Sequence, residues 1–204
     1  MISMLYVHDL PTEARDKMLY AALQLFTTRG YKNTSVLEIV EYAHVSKTTF
    51  YQQFGNKETL IVSLCERLIG EVAEEIKLAA LQEPRIGYKA YAGILRYLEI
   101  CFSNKAVANF ILLESVGVSH EVELVRREAL KSFADLIFIF AYQAFPENVN
   151  EQEVRIISQA MVGAINEVVI QKFREPNYQK TDVEELARLL NRLVMSSFSS
   201  LSIN

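Results

Sequence analysis

The chain reads as all-α, with about nine helices: a compact N-terminal set of three and a larger helical part behind it. Three observations predict this. Apolar residues recur with helical rather than strand period along almost the whole sequence. Gly (7) and Pro (4) are too scarce for a protein built on tight turns. No stretch shows sustained apolar–polar alternation bounded by turn residues.

Each element follows from its pattern and its ends. Met18, Ala21, Ala22, Leu25 and Phe26 form one stripe, capped in front by Asp9 or Thr12 and ended by Gly30, which tolerates a left-handed backbone. Ser35 and Glu38 make a capping box for a second helix that buries Val36, Ile39, Val40 and Ala43. Ser46 caps a third, running through Phe50 and Phe54. Asn56 caps a fourth, with Leu60, Leu64, Leu68 and Val72 inward, which Pro84 ends. Helices at about 87–102, 104–115 and 120–145 come next, the last begun by Ser119 and stopped before Pro146. Asn150 opens a helix reaching about Arg174 and stopped before Pro176. Thr181 with Glu184 opens the last, reaching about Phe198 before a frayed tail.

The 204 residues carry Lys+Arg 21 against Asp+Glu 25, a net of −4, so bulk charge cannot hold nucleic acid or an anionic membrane. Residues 27–57 differ: Arg29, Lys32, Lys47 and Lys57 against Glu38 and Glu41 give +2, leaving −6 for the rest. The longest apolar run, Leu136–Tyr142, is far short of the roughly 20 residues a bilayer requires. With no signal peptide and two cysteines, Cys65 and Cys101, that make no disulfide framework, a cytoplasmic protein without membrane association is expected.

Two short helices joined by Ala43-His44-Val45 have the spacing of a helix-turn-helix. Phe50 and Phe54, four apart, anchor the second of them. Lys47, Thr48, Thr49, Tyr51 and Gln52 are left to face outward, as hydroxyls, an amide and a cation suited to base edges and phosphates. The run Thr34-Ser35, Ile39-Val40, Ala43-His44-Val45-Ser46-Lys47-Thr48-Thr49-Phe50-Tyr51, Phe54, Lys57-Glu58 and Leu60 resembles the DNA-binding domain of the TetR family of bacterial transcription regulators, over about residues 13–60. The family usually has Gly where this chain has His44, and often Gly where it has Thr48. His44 is expected at positive φ, and Thr48 keeps the operator sequence from being inherited from relatives.

The resemblance implies a division into residues 1–56, an arm and helix-turn-helix DNA-binding domain, and 57–204, an effector-binding and dimerisation domain, joined through the fourth helix rather than a flexible linker. It implies phosphate contacts for Thr34, Ser35, Tyr51 and Lys57, and base or flanking phosphate contacts for Lys47, Thr48, Thr49 and Gln52, with Ser46 as cap and phosphate donor. Nothing before Arg15 is basic, so no arm contact in the minor groove is expected. The implied partners are double-stranded operator DNA and a second copy of the chain, joined through helices 150–174 and 182–198. Both helices carry more apolar surface than one inner face needs.

The implied effector is an unidentified small apolar or amphipathic molecule, and no cofactor is expected. Tyr97, Phe102, Asn109, Phe110, Leu113, Phe138 and Asn166 are its candidate lining, the two asparagines because polar groups inside apolar helical runs need a partner. His8, His44 and His120 show no metal spacing with one another or with the cysteines, and Ser119-His120-Glu121 is contiguous and cannot form a triad by itself. Not an enzyme, the chain is expected to be a repressor released from its operator by the effector. The alternative from another class is an all-α ligand-binding or scaffold protein without DNA binding.

Overall fold

A computed structural model of the chain describes residues 3–6, 9–144, 150–175, 177 and 181–199, and all regular structure among them is helical. In order these are α1 (Ala14–Arg29), α2 (Val36–Tyr42), α3 (Lys47–Phe54), α4 (Lys57–Gln82), α5 (Ile86–Ser103), α6 (Lys105–Asn109), α7 (His120–Ala144), α8 (Glu151–Arg174) and α9 (Val183–Ser199). A single 3₁₀ turn, Met4–Tyr6, precedes α1, and α6 continues into a π-helical turn, Phe110–Glu114. Pro146, Pro176 and the tail beyond Ser199 lie outside the described residues.

The caps explain most of the boundaries. Ser35 Oγ accepts from the Glu38 N–H at 3.2 Å while Glu38 Oε2 accepts from the Ser35 N–H at 2.7 Å, so both halves of the capping box form. Ser46 Oγ accepts from the Thr49 N–H at 3.0 Å, Asn56 Oδ1 from the Thr59 N–H at 2.8 Å, and Ser119 Oγ from the Val122 N–H at 3.3 Å. Two ends differ from expectation. Glu13, with no side-chain cap bond, stands before α1 in place of Thr12 or Asp9, because the first helical bond runs from the Lys17 N–H to the Glu13 carbonyl. Asp182 caps α9 through the Glu185 N–H at 2.9 Å, one residue later than a Thr181–Glu184 box would place it.

The chain forms two compact units, Met1–Glu71 with Asn104–Arg127, and Val72–Ser103 with Glu128–Asn204. The first unit is larger than residues 1–56. Leu60, Ile61, Leu64 and Leu68 of α4 are wholly buried in it, and Phe110 stacks on Phe26 of α1 at 6.4 Å. Arg67 of α4 binds Asp16 of α1 at 2.5 Å and Glu71 at 3.1 Å, with Arg67 and Asp16 side chains each 10% exposed. Glu71 Oε2 in turn accepts from Ser3 Oγ at 2.9 Å and the Leu5 N–H at 3.1 Å, while Asn104 Nδ2 donates to the Leu5 carbonyl at 2.8 Å. These bonds hold the N-terminal turn in place, with Met4 and Leu5 buried. In the π-helical turn the Ser115 N–H reaches back five residues to the Phe110 carbonyl at 3.0 Å. Arg126 of α7 closes on that turn through the Ile111 carbonyl and Ser115 Oγ.

In the second unit, α5 packs along α9, and α9 on α8. Val154, Ser158, Val162, Ile165 and Val169 face inward from α8, and Leu186, Leu190, Val194 and Phe198 from α9. Ile156, Leu189 and Leu193 remain on the outside, each between 46% and 58% exposed.

Candidate nucleic-acid interface and ligand cavity

The turn between α2 and α3 ends α2 with two reverse bonds, Val45 N–H to the Val40 carbonyl at 3.0 Å and His44 N–H to the Glu41 carbonyl at 3.2 Å. This pairing requires a left-handed residue between them. His44 supplies it at φ 52°, the one positive-φ residue other than glycine among those described. An L-residue is strained there, and glycine is not, although glycine gains more freedom on unfolding. His44→Gly is therefore expected to stabilise the first unit by about 0.5–1 kcal/mol. A thermal melt checks this, and an unchanged or lowered midpoint would contradict the strain.

α3 is anchored by Phe50 (0% exposed) and Phe54 (4%), whose rings lie 5.8 Å apart. Arg15 of α1 holds its far end, donating to the Gln53 carbonyl at 3.3 Å with its guanidinium over the Phe54 ring at 4.5 Å. The opposite face presents Lys47, Thr48, Tyr51 and Gln52 to solvent, with Ser46 exposed in front and Thr49 half-buried against it. Ser35 is also exposed, though its hydroxyl donates to Glu38 Oε2 at 2.8 Å. Glu38 sits below the usual carboxylate range, first because the Ser35 backbone and hydroxyl bond to it, with Arg29 adding its charge at 2.7 Å.

Two residues expected at phosphate bond to the chain's own backbone, Thr34 from a buried position and Lys57 from a half-buried one. Thr34 is 1% exposed and its hydroxyl donates to the Gly30 carbonyl at 2.9 Å. Lys57 donates to the carbonyls of Tyr31 at 2.9 Å and Thr34 at 2.8 Å, with its ammonium 4.2 Å from the Tyr31 ring centre. Partial burial lowers the Lys57 pKa. Together they tie down the loop between α1 and α2.

The second unit holds an apolar cavity of about 70 Å³. Tyr97 and Asn166 are on its wall, and Tyr97 Oη donates to Asn166 Oδ1 at 2.6 Å. The rest of the expected lining lies elsewhere. Phe102 stacks on Phe173 at 5.2 Å, and Phe138 stacks on Tyr142 and carries Arg155 over its ring at 4.1 Å. Asn109, Phe110 and Leu113 belong to the first unit, where Phe110 is core. The wall is built instead from Ile76 and Ala80 of α4, Gly93 and Ile94 of α5, Leu136 and Phe140 of α7, and neighbouring positions on α8 and α9. Lys89 is the one charged residue on it. Gly93 lies against Ile76 and Ala80, where a Cβ would stand in ordinary contact, 3.4 Å from Ile76 Cγ2 and 3.6 Å from Ala80 Cβ.

Among the described residues no group of three His, Cys, Asp or Glu could hold a metal, and no helix is long and apolar enough to cross a membrane. Both cysteines are buried, and burial pushes each thiol up to about 12, against opposing influences of Arg126 and Ser115 on Cys65 and of Tyr97 on Cys101. Neither is a thiolate nucleophile at neutral pH. A folded pKa above the unfolded value of roughly 8.5 means that the native state keeps protons the unfolded chain releases. This stability is complete below about pH 8.5 and is lost as pH rises towards 12. The urea midpoint is expected to fall more steeply between pH 8.5 and 10.5 in the native chain than in a Cys65→Ala, Cys101→Ala double variant; equal slopes would contradict it.

The anchored reading helix, its left-handed turn and its outward polar face define a helix-turn-helix DNA-binding protein. Among known proteins, residues 18–64 match the model for bacterial regulatory proteins of the tetR family. The fatty acid metabolism regulator protein of Bacillus subtilis is 22% identical over 182 residues, covering 88% of this chain and 93% of the relative. An uncharacterized HTH-type transcriptional regulator of the same organism, YerO, is 32% identical over 65 residues, which is 32% of this chain but only 22% of the relative. The crystal structure of FadR from Bacillus subtilis in complex with stearoyl-CoA superposes with a TM-score of 0.77 at 22% identity, covering 89% of this chain and 97% of that one. Residues 18–64 thus resemble the DNA-binding part of a tetR-family regulator, and the chain shares its fold with the similar solved structures.

Proposed function

We propose that the chain is a transcriptional repressor. As a homodimer it occupies a two-half-site operator, and it leaves when an acyl-chain ligand enters the cavity of the second unit. The observation that carries DNA recognition is the division of α3 into a buried Phe50–Phe54 side and an exposed side of Lys47, Thr48, Tyr51 and Gln52. With Ser35, Ser46 and Thr49 beside them, these residues form the duplex-facing set, while Thr34 and Lys57 shape the loop behind it. Dimerisation through α8 and α9 is supported by the outward apolar residues Ile156, Leu189 and Leu193, flanked by the exposed small residues Ala160 and Gly163. One short helix reads too few bases for a specific site, and two need half-sites about 34 Å apart or a multiple of that.

The acyl-chain reading is supported by the apolar wall of the cavity and by the similar FadR structure with stearoyl-CoA. At about 70 Å³ the cavity is under half the roughly 150 Å³ that admits benzene, so a chain enters only if the wall gives way. Ile76 and Ala80 of that wall stand on α4, the same continuous helix whose earlier turns carry Leu60 and Leu64 in the core of the DNA-binding unit. Displacing them moves the reading helices and changes their spacing.

A mobility shift on the DNA upstream of the chain's own gene tests this. Binding is expected to weaken steeply with salt, to be lost in a Thr49→Ala, Tyr51→Ala double variant, and to be released by stearoyl-CoA. Binding that survives the double variant unchanged overturns the assigned surface, and a complex indifferent to every acyl-CoA length overturns the effector.

A further inference from the structure

We infer that Lys89 is the anchor for an anionic head group, so that the cavity takes an acid or phosphate-bearing amphiphile rather than a neutral lipid. This rests on the acyl-chain reading above and adds to it the polarity and the position of the head. Among the lining residues Lys89 alone is charged; all others are apolar apart from Tyr97 and Asn166, which bond to each other. Lys89 is half-buried, and its ammonium stands 5.8 Å from the centre of the Phe140 ring on the cavity wall. Its bonds are long ones, to the Ala80 carbonyl at 3.3 Å and the Leu81 carbonyl at 3.5 Å at the end of α4, and no carboxylate lies within ion-pairing distance among the described residues. Such bonds are readily exchanged for a stronger, charge-assisted one.

The surroundings favour an anion as well. Residues 83–89 carry Arg85 and Lys89 against Glu83, a net of +1 in a chain of −4 overall. Glu83 is bound by Arg85 at 2.8 Å and feels Lys89 only as a more distant charge, while Lys89 is the one cation that lines the cavity. From Lys89 to Tyr97 the cavity follows eight residues of α5, about 12 Å of helical rise. A head at Lys89 therefore directs an aliphatic chain past Gly93 and Ile94 towards the Tyr97–Asn166 pair, which asks for no partner of its own.

The test compares dodecanoate, dodecanoyl-CoA and 1-dodecanol, of equal chain length, by calorimetric titration of the full chain. Three forms are used: the native chain, Lys89→Met, which keeps the apolar stem, and Lys89→Arg, which keeps the charge. The native chain is expected to bind at least one anion about tenfold more tightly than the alcohol. Lys89→Met should erase that advantage and leave the alcohol within twofold, while Lys89→Arg retains it. Loss confined to dodecanoate identifies a carboxylate head, and loss confined to dodecanoyl-CoA a phosphate; either supports the anchor. Equal affinity of the native chain for anions and alcohol overturns the anchor alone, even if Lys89→Met fails to fold. Anion affinities unchanged in Lys89→Met overturn it too. Failure of the native chain to bind any of the three overturns the acyl-chain reading itself.

Discussion

Arg67→Met is expected to destabilise the first unit by about 3–5 kcal/mol, the cost of leaving a buried charge without its partner. Arg67 and Asp16 are each 10% exposed at the side chain and 2.5 Å apart, so solvent does little to screen the loss. Methionine fills much of the volume of the arginine stem, so the deficit reports charge rather than a cavity. Glu71 loses its bond from Arg67 at the same time, and with it the order of the N-terminal turn that it holds through Ser3 and Leu5. A thermal melt should show a midpoint lower by about 10 °C or more. Adding Asp16→Asn should recover part of this, since the uncompensated carboxylate is then gone. A single variant within about 1 kcal/mol of the native chain, or a double variant worse than the sum of its parts, would contradict the coupling of α1 to α4 through this pair.

Lys47→Ala combined with Gln52→Ala is expected to reduce operator affinity about 100-fold or more while leaving the fold intact. Both side chains are exposed on α3 and neither has a bond to the rest of the chain among the described residues, so stability should change by less than about 0.5 kcal/mol. Each bond to a base or phosphate is worth about 1–3 kcal/mol, and each occurs twice in a dimer. The two effects should be separable. Without Lys47 the dependence of log affinity on log salt becomes shallower, by about one for each phosphate it no longer neutralises. Without Gln52 the salt slope stays and discrimination between operator and random duplex shrinks. Mobility shifts across a salt series measure both. Native affinity and slope in the double variant would remove this face of α3 from the interface.

The DNA-binding half is legible in the sequence because its determinants are local. A cap and its partner are three residues apart, as with Ser35 and Glu38 or Ser46 and Thr49, so sequence order already states the contact. The positive φ of His44 follows from the same short-range geometry. The cavity is poorly legible because helical period says which face is buried and not what it is buried against. Phe110 and Phe140 sit in similar apolar runs, yet the first stacks on Phe26 and the second walls the cavity. Tyr97 and Asn166 are 69 positions apart, and no local signal joins them. Lys89 carries no signal of its own, since a lysine near a helix start normally marks solvent. The backbone bonds of Thr34 to the Gly30 carbonyl and of Lys57 to the Tyr31 carbonyl have no signal in the sequence, where both read only as polar residues beside the helix-turn-helix. The π-helical turn has no signature in composition.

The N-terminal turn offers a practical handle on the switch. Ser3 and Leu5 are tied to Glu71, the last residue of α4 before that helix passes into the second compact unit. If the proposed ligand-driven release bends α4 at this boundary, a probe placed beside the turn without disturbing the Ser3 and Leu5 bonds to Glu71 would report it without a label on the DNA.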